Sequence, residues 1–187
     1  MNIGILALQG DFLLHQKLLD KINISNILIK NLSELSEISG LIIPGGESTV
    51  ISKMIDENNF FNALKEFSKR KPIYGTCAGA ILMSSLLNDS KVMQLSVIDF
   101  EVIRNAWGRQ IDSFSTDIEL SFSDKKFRAT FIRAPKFICN NKVNILAKYN
   151  DEPVLLRNNM HLVSSFHPEI GSDTRIHKYF IKMINEC

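Results

Sequence analysis

The chain has 187 residues, with 22 Lys and Arg against 20 Asp and Glu, so its formal net charge is +2. That balance lacks the clustered basic excess of a nucleic-acid module, so no nucleic-acid partner is expected. With 45% apolar and 22% charged residues disorder is excluded as the dominant state, and the length fits one domain over residues 1–187.

Three scattered cysteines, Cys77, Cys139 and Cys187, make no disulfide framework, and the absence of a CxxC pair argues against a metal site. A reducing cytoplasm is the expected compartment. The first ten residues have no basic region ahead of their short apolar run, so no signal peptide is expected. The longest mostly apolar stretch, Ala78 to Leu87, is about half the length a membrane span needs.

In chain order, Ile3 to Leu8 is a continuous apolar run ending before Gly10, which reads as a strand buried on both faces of a parallel sheet. Asp11 to Ile22 follows as a helix with Leu14, Leu18 and Ile22 on one face. Asn26 to Lys30 and Gly40 to Ile43 read as further strands, the latter stopped by Pro44, Gly45 and Gly46. Val50, Ile51, Met54 and Ile55, then Phe61, Leu64 and Phe67, mark two helix faces. Ile73 to Thr76 is a fourth strand running into a helix over Ala78 to Leu87. This alternation predicts an α/β fold with a mostly parallel central sheet and helices on both faces. After Lys91 the texture becomes antiparallel. Ser96–Ile103, Asp117–Phe122, Phe127–Ile132, Val143–Tyr149, Glu152–Arg157 and His161–Phe166 are short strand candidates that extend the sheet or form a second one. Ser172 reads as the N-cap of a closing helix with Ile176, Tyr179, Phe180, Met183 and Ile184 on one face.

The most informative segment is Gly75-Thr76-Cys77-Ala78-Gly79. A nucleophile on a tight strand-to-helix turn needs small residues two positions either side, and this is that layout. The helix N-terminus favours the thiolate, and the Ala78 N–H can stabilise an oxyanion there. The competing reading of Cys77 is a buried structural thiol. A nucleophilic Cys needs a base, and the base an orienting group. Among four histidines, His15, His161 and His177 read as surface or satisfied core residues, with His15 facing solvent or its helix cap. His167 instead ends a strand in Ser165-Phe166-His167-Pro168-Glu169, where open α/β sheets collect active sites. Glu169, two residues on, can accept the ring N–H. Pro44-Gly45-Gly46-Glu47-Ser48 sits at another strand end. Its glycines let backbone N–H groups approach a ligand. A phosphate loop is the weaker alternative, because no Lys follows.

Together PGGES, GTCAG and SFHPE resemble the triad-type (class I) glutamine amidotransferases. Ala7-Leu8-Gln9-Gly10, the run Arg104 to Gln110 followed by Asp112-Ser113-Phe114, and Phe131-Ile132-Arg133-Ala134-Pro135 narrow the likeness to the glutaminase subunits of pyridoxal 5′-phosphate synthases, across essentially the whole chain. The resemblance implies a three-layer, flavodoxin-like sheet with added antiparallel strands. It implies hydrolysis of L-glutamine to L-glutamate and ammonia through a thioester, with Cys77 as nucleophile, His167 as general base and acid, and Glu169 as its orienter. Gly46 and Ala78 become oxyanion donors, and Gly46, Glu47, Ser48, Arg104, Ile132 and Arg133 the glutamine-binding residues. No cofactor or metal is implied. The partner implied is a (β/α)8-barrel synthase subunit in a multimeric complex that receives the ammonia, and no membrane is involved. The resemblance implies coupled subunits, so a glutaminase nearly idle until that subunit binds is expected. The candidate switch is a flip of the Gly45–Gly46–Glu47 backbone, whose glycines tolerate φ of either sign at little cost, with the contact expected near Gln9, Asp11 and residues 45–50. A cysteine peptidase on the same scaffold and a non-catalytic binding module are the rival readings. Glu47 and Arg104, as counter-charges for a free amino acid, argue against the first, and the intact Cys, His and Glu positions against the second.

Overall fold

The computed structural model describes residues 1–87, 89, 91–104, 113–139 and 143–186. Residues 105–110 and Asp112 of the motifs above, and Cys187, lie outside the described residues. The backbone of a central seven-stranded sheet comes from short, mostly apolar runs: β1 (Ile3–Leu6), β2 (Asn26–Ile29), β3 (Gly40–Ile43), β4 (Ile73–Thr76) and β12 (Leu162–Ser164), all parallel. β11 (Glu152–Arg157) and β10 (Asn144–Tyr149) add antiparallel at one edge, giving the order β10-β11-β12-β4-β3-β1-β2. β1, β3, β4 and β12 are buried at every position, as a sheet covered on both faces requires.

The two faces carry separate apolar clusters. α2 (Ser48–Glu57), α3 (Phe60–Ser68) and α4 (Ala78–Met83) cover one face, where Leu41, Ile43 and Ile73 meet Ile51, Ile55 and Leu64. The same cluster takes in a small sheet of β5 (Ser84–Leu87), β6 (Ile98–Ile103) and β9 (Lys136–Cys139). α1 (Phe12–Lys21), α5 (Arg175–Glu186) and the hairpin β7 (Phe114–Leu120) with β8 (Ser123–Phe131) cover the other, where Ile5, Ile42 and Tyr74 meet Leu19, Phe127 and Phe180. The architecture is therefore α/β in three layers, with the late antiparallel strands doing both expected things. β10 and β11 extend the main sheet and β6 to β9 contribute to two small ones, but β12, expected among the antiparallel strands, runs parallel beside β4 inside the main sheet.

Several local expectations change. The helix after Cys77 ends at Met83, and Ser84–Leu87 pairs as a strand with β6. Ser84 Oγ turns back to the Ile81 carbonyl at 2.8 Å, a local bond that competes with continuing the helix. β9 and the six-residue 3-10 helix Leu32–Glu37 were not among the expected elements. Ser172 is not the cap of the last helix. That helix starts at Arg175, whose N–H is taken by Asp173 Oδ1 at 3.0 Å. The Arg175 guanidinium then ties α5 to the β7–β8 hairpin through Ser123 Oγ and the Lys126 carbonyl, each at 2.7 Å.

His15, His161 and His177 are buried in the folded chain. His161 is a satisfied core residue, its Nδ1 accepting from Ile73 N–H at 3.1 Å. Burial disfavours the cation and holds His161 and His177 at about 4 each, against an ordinary value near 6.5. Above pH 6.5 both folded and unfolded chains carry these rings neutral. Below it the unfolded chain takes up protons that the folded chain refuses, so stability falls as pH drops from about 6.5 toward 4, by roughly 1.4 kcal/mol per pH unit for each ring. Urea unfolding midpoints measured from pH 7 to pH 5 should decline accordingly; a constant midpoint contradicts neutral burial of these histidines.

Candidate active site

The carboxyl ends of four adjacent strands, β1, β3, β4 and β12, deliver the candidate residues to one place. The central one is Cys77, at φ 46° and ψ −102° between β4 and α4. A non-glycine residue rarely adopts positive φ, and holding it there stores on the order of 1–3 kcal/mol. The surroundings impose it. Cys77 N–H donates to the Ser164 carbonyl of β12 at 2.8 Å, and its carbonyl accepts from Ile81 N–H at 3.1 Å. The turn is possible only because its flanks lack side chains. A methyl on Gly79 would lie 2.1 Å from the Ile43 carbonyl oxygen, and one on Gly75 2.6 Å from Met83 Sδ. The elbow expected from the sequence is present, with Ala78 opening the helix behind the thiol.

His167 stands beyond the end of β12, its own N–H pinned to the Thr130 carbonyl of β8 at 2.8 Å. Its Nδ1 meets Glu169 Oε1 at 2.6 Å, with both side chains almost entirely buried. Gly45, from the loop after β3, packs between His167 and Cys77. A methyl there would sit 2.4 Å from His167 Cε1 and 3.4 Å from Cys77 Cβ. Burial by itself lowers the His167 pKa. Hydrogen bonding to Cys77 and to Glu169, with the negative charge of each, outweighs it and raises the ring to about 10. At neutral pH the His167 ring is therefore held as an imidazolium between Cys77 and Glu169.

These groups open onto one recess. Gly46, Glu47 and Ser48 line it at the start of α2, Arg104 follows β6, and Ile132 and Arg133 follow β8. All six residues expected to hold a ligand thus meet Cys77 and His167. Cys77 Sγ lies 3.9 Å from the Ile132 carbonyl oxygen. Arg133 is exposed at φ 45°, and Arg104 pairs with Asp89 at the rim. Ile81 and Asp11 also line the recess and were not singled out as ligand-binding positions. Asp11 arrives because its N–H donates to the Gly45 carbonyl at 3.2 Å. Gln9 Oε1 accepts from Glu47 N–H at 3.1 Å and braces the same loop. The recess has acidic Asp11 and Glu47 and basic Arg104 and Arg133, a charge pattern suited to a zwitterion. Asp11, His167 and Glu169 each bring one donor atom within 4.8 Å of the others, but the facing atoms of His167 and Glu169 already satisfy each other. Among the described residues no helix is long and apolar enough to cross a membrane.

Sequence reasoning missed the layer behind Glu169. His15 on α1 lies 3.5 Å from Glu169 Oε2, 3.3 Å from Thr76 Oγ1 and 2.8 Å from His177 Nε2 on α5. The signal was present, since each histidine has apolar residues three, four and seven positions on: Leu18, Leu19 and Ile22, and Phe180, Ile181 and Ile184. That is the spacing of a buried helix face.

Comparison with known proteins shows the family and the fold. The profile of the SNO glutamine amidotransferase family matches residues 5–186. Pyridoxal 5′-phosphate synthase subunit PdxT of Thermosipho africanus is 46% identical over 188 residues, covering 100% of both chains. The protein of that name from Kosmotoga olearia is 43% identical, covering 98% of each. A solved glutamine amidotransferase superposes with a TM-score of 0.92 at 37% identity over 98% of both chains. PurLQS from Thermotoga maritima, at 13% identity and a TM-score of 0.72, shares the fold. The site itself makes a prediction. Replacing Cys77 with Ala removes a raising influence on His167, so its ring should titrate below the wild-type value near 10. Ring NMR titration of both proteins measures this, and an unchanged value contradicts the Cys77–His167 coupling.

Proposed function

The chain belongs to the SNO glutamine amidotransferase family, and from that premise we propose that it hydrolyses L-glutamine at Cys77 and passes the ammonia to a pyridoxal 5′-phosphate synthase. The observation that carries this is Cys77 at a positive-φ elbow beside a buried His167–Glu169 pair. The whole chain acts as one glutaminase domain, and its compartment is the cytoplasm. The glutamine α-carboxylate is recognised by Arg104 and Arg133, and its α-ammonium by Glu47, helped by Asp11, with Ser48 and the Ile132 backbone completing the site. The thiolate of Cys77 attacks the side-chain amide carbon. The resulting oxyanion is held by the N–H groups of Ala78 and Gly46. Collapse breaks the C–N bond as the His167 imidazolium gives its proton to the leaving nitrogen, so ammonia departs and a γ-glutamyl thioester remains. His167, now neutral, takes a proton from water as the water adds to the thioester. Glutamate leaves and the thiolate returns. Glu169 keeps the ring oriented and stabilises its cationic form.

The partner is the (β/α)8-barrel synthase subunit, in a multimeric complex, and it acts on the Gly45–Gly46 peptide. That peptide is held by Asp11 N–H on the Gly45 carbonyl and by Gln9 on the following N–H. Exchanging those two bonds for contacts with the partner reorients the Gly46 N–H, and one oxyanion donor is worth roughly 10²–10³ in turnover. A diazo-ketone analogue of glutamine should label Cys77 and leave Cys139 and Cys187 unmodified, and labelling that survives Cys77→Ala removes the nucleophile assignment. Glutaminase activity should rise by about 10² or more when the synthase subunit is added, and equal rates with and without it discard the switch.

A further inference from the structure

Glu169 spends one oxygen on His167 and leaves the other over. Oε2 is enclosed, and among the described residues it has no hydrogen bond. The group that faces it is His15 Nε2, 3.5 Å away, with both side chains at 0% exposure. A buried carboxylate oxygen requires a donor, and a bare ring nitrogen aimed at it is repulsive. That sets the tautomer. His15 Nε2 carries the proton, directed between Thr76 Oγ1 and Glu169 Oε2, so Nδ1 is the acceptor. Its partner at 2.8 Å is His177 Nε2, which therefore donates. His177 Nδ1 is then the bare nitrogen, in keeping with its having no hydrogen-bond partner among the described residues. Neither ring can evade this by becoming cationic. Burial, and then repulsion from His177 and His167, hold His15 well below its ordinary value. Burial does the same for His177. Tyr74 on β4 meets both rings edge-on, and its hydroxyl is engaged by Ser164 Oγ at 3.1 Å, so it does not compete for Glu169.

We infer that His15 is a positioning residue for the glutaminase reaction: its Nε2–H, fixed in place by His177, holds Glu169 so that the opposite oxygen meets His167. The inference rests on the Cys77–His167–Glu169 reading. His15 is not among the residues lining the recess, so it acts through Glu169 and not on glutamine. The design uses three elements, α1, α5 and β4, to lock one carboxylate, and both oxygens of Glu169 then face N–H groups of imidazole rings.

The test assays variants with the synthase partner present. His15→Leu should lower kcat by roughly 10- to 100-fold, the range for withdrawing the facing N–H donor from a buried charged group, with KM for glutamine unchanged. His15→Gln, whose amide nitrogen reaches the Nε2 position, should recover most of the rate. In the wild-type protein labelled with ¹⁵N in histidine, His15 should be protonated at Nε2 and bare at Nδ1. A proton on His15 Nδ1 overturns the inference, as does a His15→Gln variant as slow as His15→Leu. If His15→Leu does not fold, the ring tautomer decides alone. A His15→Leu variant with wild-type turnover beside an inactive Glu169→Gln overturns this inference and spares the triad; a Glu169→Gln variant with wild-type turnover overturns the triad itself.

Discussion

The whole site depends on one strained residue. Cys77 must leave a buried parallel strand and enter a helix within a single position, at φ 46°, and no L-residue with a side chain does so without external restraint. The restraint comes from the two neighbouring strands. β12 accepts the Cys77 N–H, and β3 brings the Ile43 carbonyl so close that the next helical turn tolerates nothing larger than Gly79. Those same strands then continue into the two other segments the site needs, β3 into Gly45–Ser48 and β12 into His167–Glu169. The neighbours that hold the elbow therefore also deliver the loop and the imidazole, and any slip in sheet register displaces all three together.

Electrostatics acts locally on this frame. With a net charge of only +2, the protein has no strong overall field for steering ligands, and the selectivity lies in the recess. Acidic and basic side chains both line it, and the start of α2 meets it at Gly46–Ser48. Cys77, His167 and Glu169 are each at most 6% exposed, and among buried groups charge–charge attraction is much stronger than in water. This is why a ring so deeply buried is nonetheless held cationic to about pH 10.

Much of the fold was legible because β1, β3 and β4 are mostly apolar runs punctuated by glycine, and doubly covered strands leave that signature. The GTCAG segment was legible for a related reason: two glycines flanking a cysteine have few uses other than a tight elbow. The boundary of α4 was not, since Ala78 to Leu87 is apolar throughout and the break at Ser84 depends on a side-chain bond and on pairing with β6. The burial of His15 and His177 was hidden differently. Their helical spacing announces an inward face, but a histidine on that face reads as core or as chemistry only when the opposing group is known. That group, Glu169, lies 154 positions from His15 in sequence and is brought there by the parallel sheet.

The central claim is that Cys77 carries the substrate covalently. The most direct measurement is acid quenching of the enzyme during turnover with glutamine and its synthase partner, followed by peptide mass spectrometry. The peptide containing Cys77 should carry a γ-glutamyl group, released by hydroxylamine as a thioester is. Sustained turnover with the adduct on a different residue, or with no adduct at Cys77 when release of ammonia outpaces thioester hydrolysis, contradicts that claim.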